Sequence, residues 1–574
     1  MATSKLMPLA EAVRTYVRPG MHLNFAATPG RSNVAVCEVA RSFQGTSPGF
    51  VLSSTGFHSL AHLLGLLRLG KRYIACFFGD NYPRPRPNPL YTQLLQEGAA
   101  IEHWSLWSYV TALRAGALGQ PYGLTNSLAG TTLGAELAAA GRFFQLPDPQ
   151  MPQRMLGLVA ALRPDITFIH APLGDSHGNL AFSAPHAEGF WGALGATVGV
   201  IATVERIVAP EELAALREAI KIPAQRVLAV CVEPFGAHPQ PLYTAPALGV
   251  PGYRDDFAHY TLWRAMTHDA ALFERFADAV LRAEDGAAGY RAFVGAERLA
   301  SLTVQQPPTR RALSSAARCL GEEPDRLRPS DAAIIRAART IVARVRTQGY
   351  RSVLAGIGQA FFAARLARLW LAQDGIEVAV MVETGLYDLD CGPAAGGFLL
   401  GYDTIARARR LSAVEDVLGA LTCGADNACL GVIGAAQVDP RGNVNTTRLS
   451  DGRLLVGSGG ANDIASAAAE VVVVTTCDRA HLVPQVDYIT SPGRGVLHVV
   501  TDMCTLRRAT AAESTWTVCE IGSAEAQSAT AVLDRIRANC AWALIVPAQP
   551  ELMPPITAHE LRLLRSLDPE GIYW

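Results

Sequence analysis

Lysine is almost absent from this 574-residue sequence, and charge of either sign is scarce. Only Lys5, Lys71 and Lys221 interrupt an otherwise all-arginine set of cations. In so alanine-rich a chain that bias reflects a GC-rich genome rather than function. Charged residues make up 18% of the sequence, and Lys+Arg 50 against Asp+Glu 51 leaves a formal net charge of -1. No basic excess exists to neutralise a phosphate backbone, which excludes a dedicated nucleic-acid binder. Uncharged apolar runs are short as well. The longest, Phe190 to Val204, is broken by three glycines and falls short of the roughly 18 residues a membrane span needs.

Paired metal and disulfide signals are also missing. The 11 cysteines are odd in number and contain no CxxC. Several sit inside apolar runs, as Cys76 and Cys231 do, which predicts reduced, buried thiols and argues against a disulfide framework or structural zinc. The start, Met1-Ala-Thr-Ser-Lys5, lacks the apolar stretch of a secretion signal, so a soluble, cytoplasmic protein is expected. His58 and His62 stand at i,i+4 but without the glutamate of HExxH, so no metal is expected.

What is present is 49% apolar residues, the make-up of a folded enzyme. At about 150 residues per domain the length predicts three or four lobes. The chain also repeats itself. A helical pattern (Pro8 to Val17), a stop at Pro19-Gly20, a strand (Met21 to Ala26) and a turn at Thr28-Pro-Gly30 are echoed from Ser330 onward. There the order is a helix (Ala332 to Val345), Gly349, a strand (Ser352 to Ala355) and the loop Gly356-Ile-Gly358. Later in each half an apolar strand runs into Asp-x-x-Gly-Asn: Ile166 to Asp175-Ser-His-Gly178-Asn179, and Cys429 to Asp439-Pro-Arg-Gly442-Asn443. Such turns suit Asp, Asn and a glycine at positive φ. Two in the same order of neighbours predict a duplicated module: two related open α/β/α units with mostly parallel sheets. The divisions expected are 1–298, a proline- and charge-rich linker at 299–329, and 330–574, whose tail closes the second unit.

Three local patterns could carry chemistry. Ile376 to Val382 reads as a buried strand delivering Glu383 beside Gly385, at the strand end where open α/β sheets bind ligands. That glutamate either has a function or simply reaches solvent or an arginine. Gly457-Ser-Gly459-Gly460-Ala461-Asn462 precedes an alanine-rich helix, so its backbone amides could hold an anion. The string lacks both a Walker lysine and GxGxxG spacing. Gly174-Asp-Ser-His-Gly178 matches Gly-x-Ser-x-Gly, but no helical pattern follows and Ser176 has its Asp and His as immediate neighbours. A structural turn is expected there.

With these residues in view, the chain resembles a family I coenzyme A transferase of the glutaconate CoA-transferase type, with alpha and beta subunits fused. The alpha-like half carries Ile169-His-Ala-Pro-Leu-Gly-Asp-Ser-His-Gly-Asn179, Val204-Glu-Arg-Ile-Val208 and Phe235-Gly-Ala-His-Pro239. The beta-like half carries Val382-Glu-Thr-Gly-Leu386, Gly434 to Asn445, Gly457 to Asn462 and Val486-Asp-Tyr-Ile-Thr-Ser-Pro-Gly493.

The resemblance implies a ping-pong transfer of coenzyme A from an acyl-CoA donor to a carboxylic acid. Glu383 is the implied nucleophile, with Thr384 replacing the usual Ser or Asn, and Gly459 and Gly460 are the implied oxyanion donors. Contacts to coenzyme A are expected from Gly356, Gly358, Gln359, Gly457, Ala461, Asn462, Asn443 and Asn445, and to substrate from Arg31 (in Thr28-Pro-Gly-Arg31), His58 and Glu102. A glutamate of ordinary pKa, about 4.3, is ionised at neutral pH and needs no base. The expected partners are small acyl-CoA and carboxylate molecules, neither nucleic acid nor membrane, and the family's tendency to assemble further implies a homodimer of fused chains. Some relatives of the same fold are ring-opening hydrolases or decarboxylases. An alternative is therefore such an activity with Glu102 or Glu383 as base; retention of Glu383 favours transfer.

Overall fold

In the computed structural model of the chain, all residues are described except 1–3, 28–29, 306–326, 425–426, 511, 523–527, 549–550, 569–570, 572 and 574. Seven strands form the first parallel sheet: β1 (His22–Phe25), β2 (Phe50–Ser53), β3 (Gly70–Ala75), β4 (Ala100–His103), β5 (Ile166–Asp175), β6 (Gly199–Val208) and β7 (Val227–Val232). Their order is β7-β6-β5-β1-β2-β3-β4. β5 is buried at every residue, which explains why it shows no alternation: strands covered by helices on both faces read as continuous apolar runs.

The second sheet has a parallel part of β8 (Ser352–Ala355), β9 (Ala379–Met381), β10 (Cys429–Gly434), β11 (Glu470–Val474) and β12 (Val496–Val500), in the order β9-β8-β10-β11-β12. β13 (Cys504–Arg507) and β14 (Trp516–Gly522) extend it antiparallel, and the tail strands Leu544–Ile545 and Glu551–Met553 pair on β14. The tail helix Ala558–Ser566 is tied to the long helix Pro329–Gln348 by Arg565 on Asp331 at 2.9 Å.

The order β9-β8-β10-β11-β12 retraces β2-β1-β5-β6-β7, so the repeat seen in the sequence is a repeat of topology. The two Asp-x-x-Gly-Asn turns occupy matching places after β5 and β10. Asp175 Oδ1 accepts the amides of His177, Gly178 and Asn179, and Asp439 Oδ1 those of Arg441 and Asn443. Each Asn side chain then donates to the second carboxylate oxygen, at 2.7 and 3.0 Å. Gly178 and Gly442 hold φ +103° and +78°, where a side chain is strained. The Ser176 string is therefore a turn with no nucleophile elbow.

In place of three or four lobes, the two large sheets share a core. One apolar cluster joins Ile74, Trp104, Leu106 and Val110 to Leu354, Met381, Ile433, Ile464 and Val471. The structured first half also runs further than the expected boundary. Helix Ala296–Leu302 continues into strand Thr303–Val304, which pairs with Gly252–Tyr253. The start of the expected linker is thus part of the first unit, and the rest, 306–326, lies outside the described residues. Among the described residues no helix is long and apolar enough to cross a membrane.

Candidate active site

Both sheets leave a crevice where their strand order reverses, at the carboxyl ends of β1 and β5 and of β8 and β10, and ligands of open α/β sheets collect at such points. The two crevices open into one cavity of about 480 Å³. From the second unit it is lined by Gly356 and Ile357 after β8, Glu383 and Thr384 after β9, Gly434 to Ala436 after β10, and residues 455–461. From the first it takes Ala27, Gly30 and Arg31 after β1, Thr55, Gly56 and His58 after β2, Cys76 and Phe77 after β3, and Glu188 and Gln240.

Glu383 owes its position to a tight turn. The amides of Gly385 and Leu386 both return to the Val382 carbonyl. Gly385 has φ +105°, and a methyl there would meet the Ser412 carbonyl oxygen at 2.5 Å. Only glycine makes that turn, and it holds the carboxylate over the end of the sheet.

Facing Glu383 is the glycine loop, and the first half shapes it. Phe78 N–H donates to Val456 at 2.8 Å, Gly459 N–H to Cys76 at 2.9 Å, and Leu106 N–H to Gly459 at 2.9 Å. Asp463, in the helix Ala461–Ala467 that follows, accepts the amide of Trp107 at 2.9 Å and the hydroxyl of Ser127 at 2.5 Å. A carboxylate of the second unit thus caps helix Leu106–Ala117 of the first. The bare backbone of Gly460 leaves room for the Glu383 carboxyl group, which a methyl there would push aside.

Electrostatics follow from this setting. Burial, reinforced by the negative charge of Asp463 and opposed by a hydrogen bond from the Gly460 amide, pushes the Glu383 pKa up to about 7. The expectation of a glutamate of ordinary pKa is corrected: the cavity shifts Glu383 toward its protonated form. Glu188, 1% exposed, is pushed to about 7 by burial against the opposing effects of the Ala27 amide and Arg31. Burial, then the charge of Arg31, lowers His58 well below its usual range and keeps it neutral.

Of the residues singled out in the sequence, the structure brings Glu383, Gly356, Gly457, Gly459, Gly460, Ala461, Arg31 and His58 to one cavity wall. Gly459 lines the wall, but its N–H is committed to Cys76, which corrects its expected oxyanion role. Gly358 and Gln359 begin helix Gln359–Gln373 behind the wall. Asn443 is held by Asp439 and the Gly493 amide, and Asn445 by Gln437 and the Arg448 carbonyl. Asn462, fully buried, bonds the Leu128 amide and the Thr490 carbonyl. None of these three lines the cavity. Glu102 accepts from Trp104 Nε1 at 2.8 Å and lies 3.8 Å from Arg72, also off the wall. Thr28 and Pro29 lie outside the described residues.

Sequence reasoning missed Glu188 and Gln240. A signal for Glu188 existed: it is the only Asp, Glu, Lys or Arg between positions 176 and 204. One grouping with metal-ligand spacing occurs among the described residues, His238, Asp256 and His259. It is a hydrogen-bonded network in which Arg298 grips Asp256 through two bonds of 2.8 and 2.9 Å and Tyr290 bonds His238.

With this geometry established, similarity to known proteins becomes informative. The family model described as coenzyme A transferase matches residues 6–230. One of the two subunits of a 3-oxoadipate CoA-transferase from Pseudomonas knackmussii is 26% identical over 248 residues, 40% of this chain and 91% of that one. The other subunit from the same organism is 30% identical over 175 residues, 29% of this chain and 55% of that one. A crystal structure of an acyl-CoA transferase from E. coli O157:H7, a thioester complex with CoA, superposes with a TM-score of 0.65 at 15% identity, covering 96% of both chains. At that identity the match establishes the fold.

Proposed function

The chain belongs to the coenzyme A transferase family, and from that premise we propose that Glu383 carries coenzyme A between an acyl-CoA donor and a carboxylic acid acceptor. The ionised carboxylate attacks the thioester carbonyl, the C–S bond breaks, and an acyl-glutamyl anhydride and CoA thiolate result. The thiolate then attacks the glutamyl carbonyl of the anhydride, releasing the first carboxylate and leaving a glutamyl-CoA thioester. An acceptor carboxylate reverses both steps. The proton that Glu383 holds in part of the population must leave before attack.

The observation that carries this reading is the placement of Glu383 after β9, next to the reversal point of the second sheet, on the cavity wall against the bare backbone of Gly460. Displacement of water by bound acyl-CoA would offset the weak nucleophilicity of a carboxylate and protect both acyl intermediates. A backbone amide aimed at the developing oxyanion contributes about 3 kcal/mol. The similarly folded transferase was captured as a thioester complex with CoA, which supports a thioester intermediate here. Glu102, bonded to Trp104 away from the cavity, offers no base for ring-opening hydrolysis or decarboxylation.

Incubation with acyl-CoA followed by hydroxylamine should inactivate the protein and leave a hydroxamate on the peptide containing Glu383, and labelled acid should exchange into acyl-CoA. Release of free CoA without any acceptor acid, and no exchange, would establish a hydrolase instead.

A further inference from the structure

Glu188 takes no part in the transfer chemistry, yet it is placed like a working residue. It is 1% exposed, it lines the cavity from the first unit, and its Oε2 has no hydrogen-bond partner among the described residues. The Ala27 amide serves the carboxyl group from one side, and Arg31 bears on it through its field. A buried acceptor left unpaired is costly, so a ligand donor that reached it from the cavity with a small shift of the side chain would be favoured.

Arg31 lines the same cavity, held by the turn after β2. Its guanidinium donates to the Gly56 carbonyl at 2.9 Å, to Thr55 Oγ1 at 3.1 Å and to Ser54 Oγ at 3.3 Å. A guanidinium has five N–H donors and cannot accept. The surrounding walls at Phe77, Phe398, Leu399 and Ile405 are apolar.

A cation donor and a carboxyl acceptor on the wall of one cavity select among ligand groups. A carboxylate on the substrate is drawn by Arg31 but repelled by Glu188. An ammonium is drawn by Glu188 but repelled by Arg31. A ketone satisfies Arg31 and leaves the ionised form of Glu188 unpaired. A hydroxyl donates to one and accepts from the other. We propose that Glu188 and Arg31 form a specificity site for a hydroxyl group on an otherwise apolar acyl chain, so that the preferred substrates are hydroxyacyl-CoA esters and their hydroxy acids. This deepens the transferase reading and rests on it.

The test uses the intact chain and unreactive S-alkyl thioethers of coenzyme A. These carry a hydroxyl, hydrogen, carboxylate or ammonium at one carbon, with the substituted carbon moved along the chain, and calorimetry reads binding. In the wild type one hydroxyl position should bind at least about 30-fold tighter than its deoxy partner, the order set by satisfying a buried acceptor. Glu188→Leu should bring that ratio below about threefold. The isosteric Glu188→Gln, which guards against misfolding of the leucine variant, should keep part of the hydroxyl preference and bind the carboxylate analogue about tenfold tighter than the wild type does. A wild-type ratio below about threefold at every position, or a ratio unchanged in both variants, overturns the proposal. Because these analogues do not react, absence of exchange with reactive acyl-CoA esters is read separately and counts against the transferase reading instead.

Discussion

Equivalent strands of the two sheets end in related turns with different occupants. After β2 the chain reads Ser54-Thr55-Gly56-Phe57, and after β9 it reads Glu383-Thr384-Gly385-Leu386. The first turn grips the guanidinium of Arg31, while the second holds out a carboxylate. Both face the same cavity. A duplicated scaffold has thus been used asymmetrically, one copy mounting a cation and the other supplying the proposed nucleophile. The difference teaches that the repeat fixes where a side chain will point, while the residue at that point fixes what it does.

The sharpest way to break this division is to neutralise each turn in the same way. Glu383→Gln should lower acyl exchange by at least about 10⁴-fold, the scale of nucleophile removal. Ser54→Ala, at the matching turn, should lower kcat by less than about tenfold. Comparable losses in steady-state assays would show that the two turns do not have separate roles.

Glycines sharpen the contrast next. Gly460→Ala pushes a methyl into the Glu383 carboxyl group and should reduce kcat by about 10²-fold with little change in denaturation midpoint, because a flexible side chain can swing aside. Gly30→Ala meets Ala237 Cβ and a Leu242 methyl, both at 2.9 Å, in packed surroundings. It should instead lower stability by about 1–3 kcal/mol in denaturant titration.

Protonation gives the third comparison. Exchange should rise with pH up to about 7 and level off above it, following ionisation of Glu383. Asp463→Asn, by removing a neighbouring negative charge, should move the midpoint of that rise to lower pH. Stability carries the opposite sign. The folded-state pKa of Glu383 lies above the unfolded value of about 4.3, so folding favours its protonated form. That contribution is complete below about pH 4 and is lost as pH climbs through 7. Glu383→Gln should therefore be more stable than the wild type at pH 8, by about 2 kcal/mol, and nearly equal to it at pH 4. Melting curves at the two pH values check this.

The smallest effect concerns the paired turns. Asn179→Ala and Asn443→Ala should each lower stability by about 2 kcal/mol through loss of two side-chain hydrogen bonds, with KM for acyl-CoA unchanged in both. A raised KM in Asn443→Ala alone would give that turn a ligand after all.

Much of this was legible in the chain because local rules and tertiary needs agree there. The Asp-x-x-Gly-Asn turns, the strand ending at Glu383 and the glycine loop each announce themselves through short-range chemistry. Glu188 did not, because it follows no strand directly and reaches the cavity only after the segment around it is stitched to the other half, His186 N–H to Ser412 and Val414 N–H to Ala187. Asn443, Asn445 and Asn462 misled for the opposite reason. They lie near the site in sequence, but Asn443 and Asn445 spend their side chains on turns, and Asn462 ties the Leu128 amide of the first half to the Thr490 carbonyl. The raised pKa of Glu383 was also invisible, since it depends on Asp463 and on burial that only the assembled cavity provides.

The loop at 456–460 belongs to one half of the chain and takes its form from the other, through Cys76, Phe78 and Leu106. Neither half can drift in that strip without the other following, so the two are bound together as a unit of inheritance as well as of catalysis. Synthesis as a single polypeptide guarantees one copy of each for every active centre, and places the partner within reach from the moment of translation.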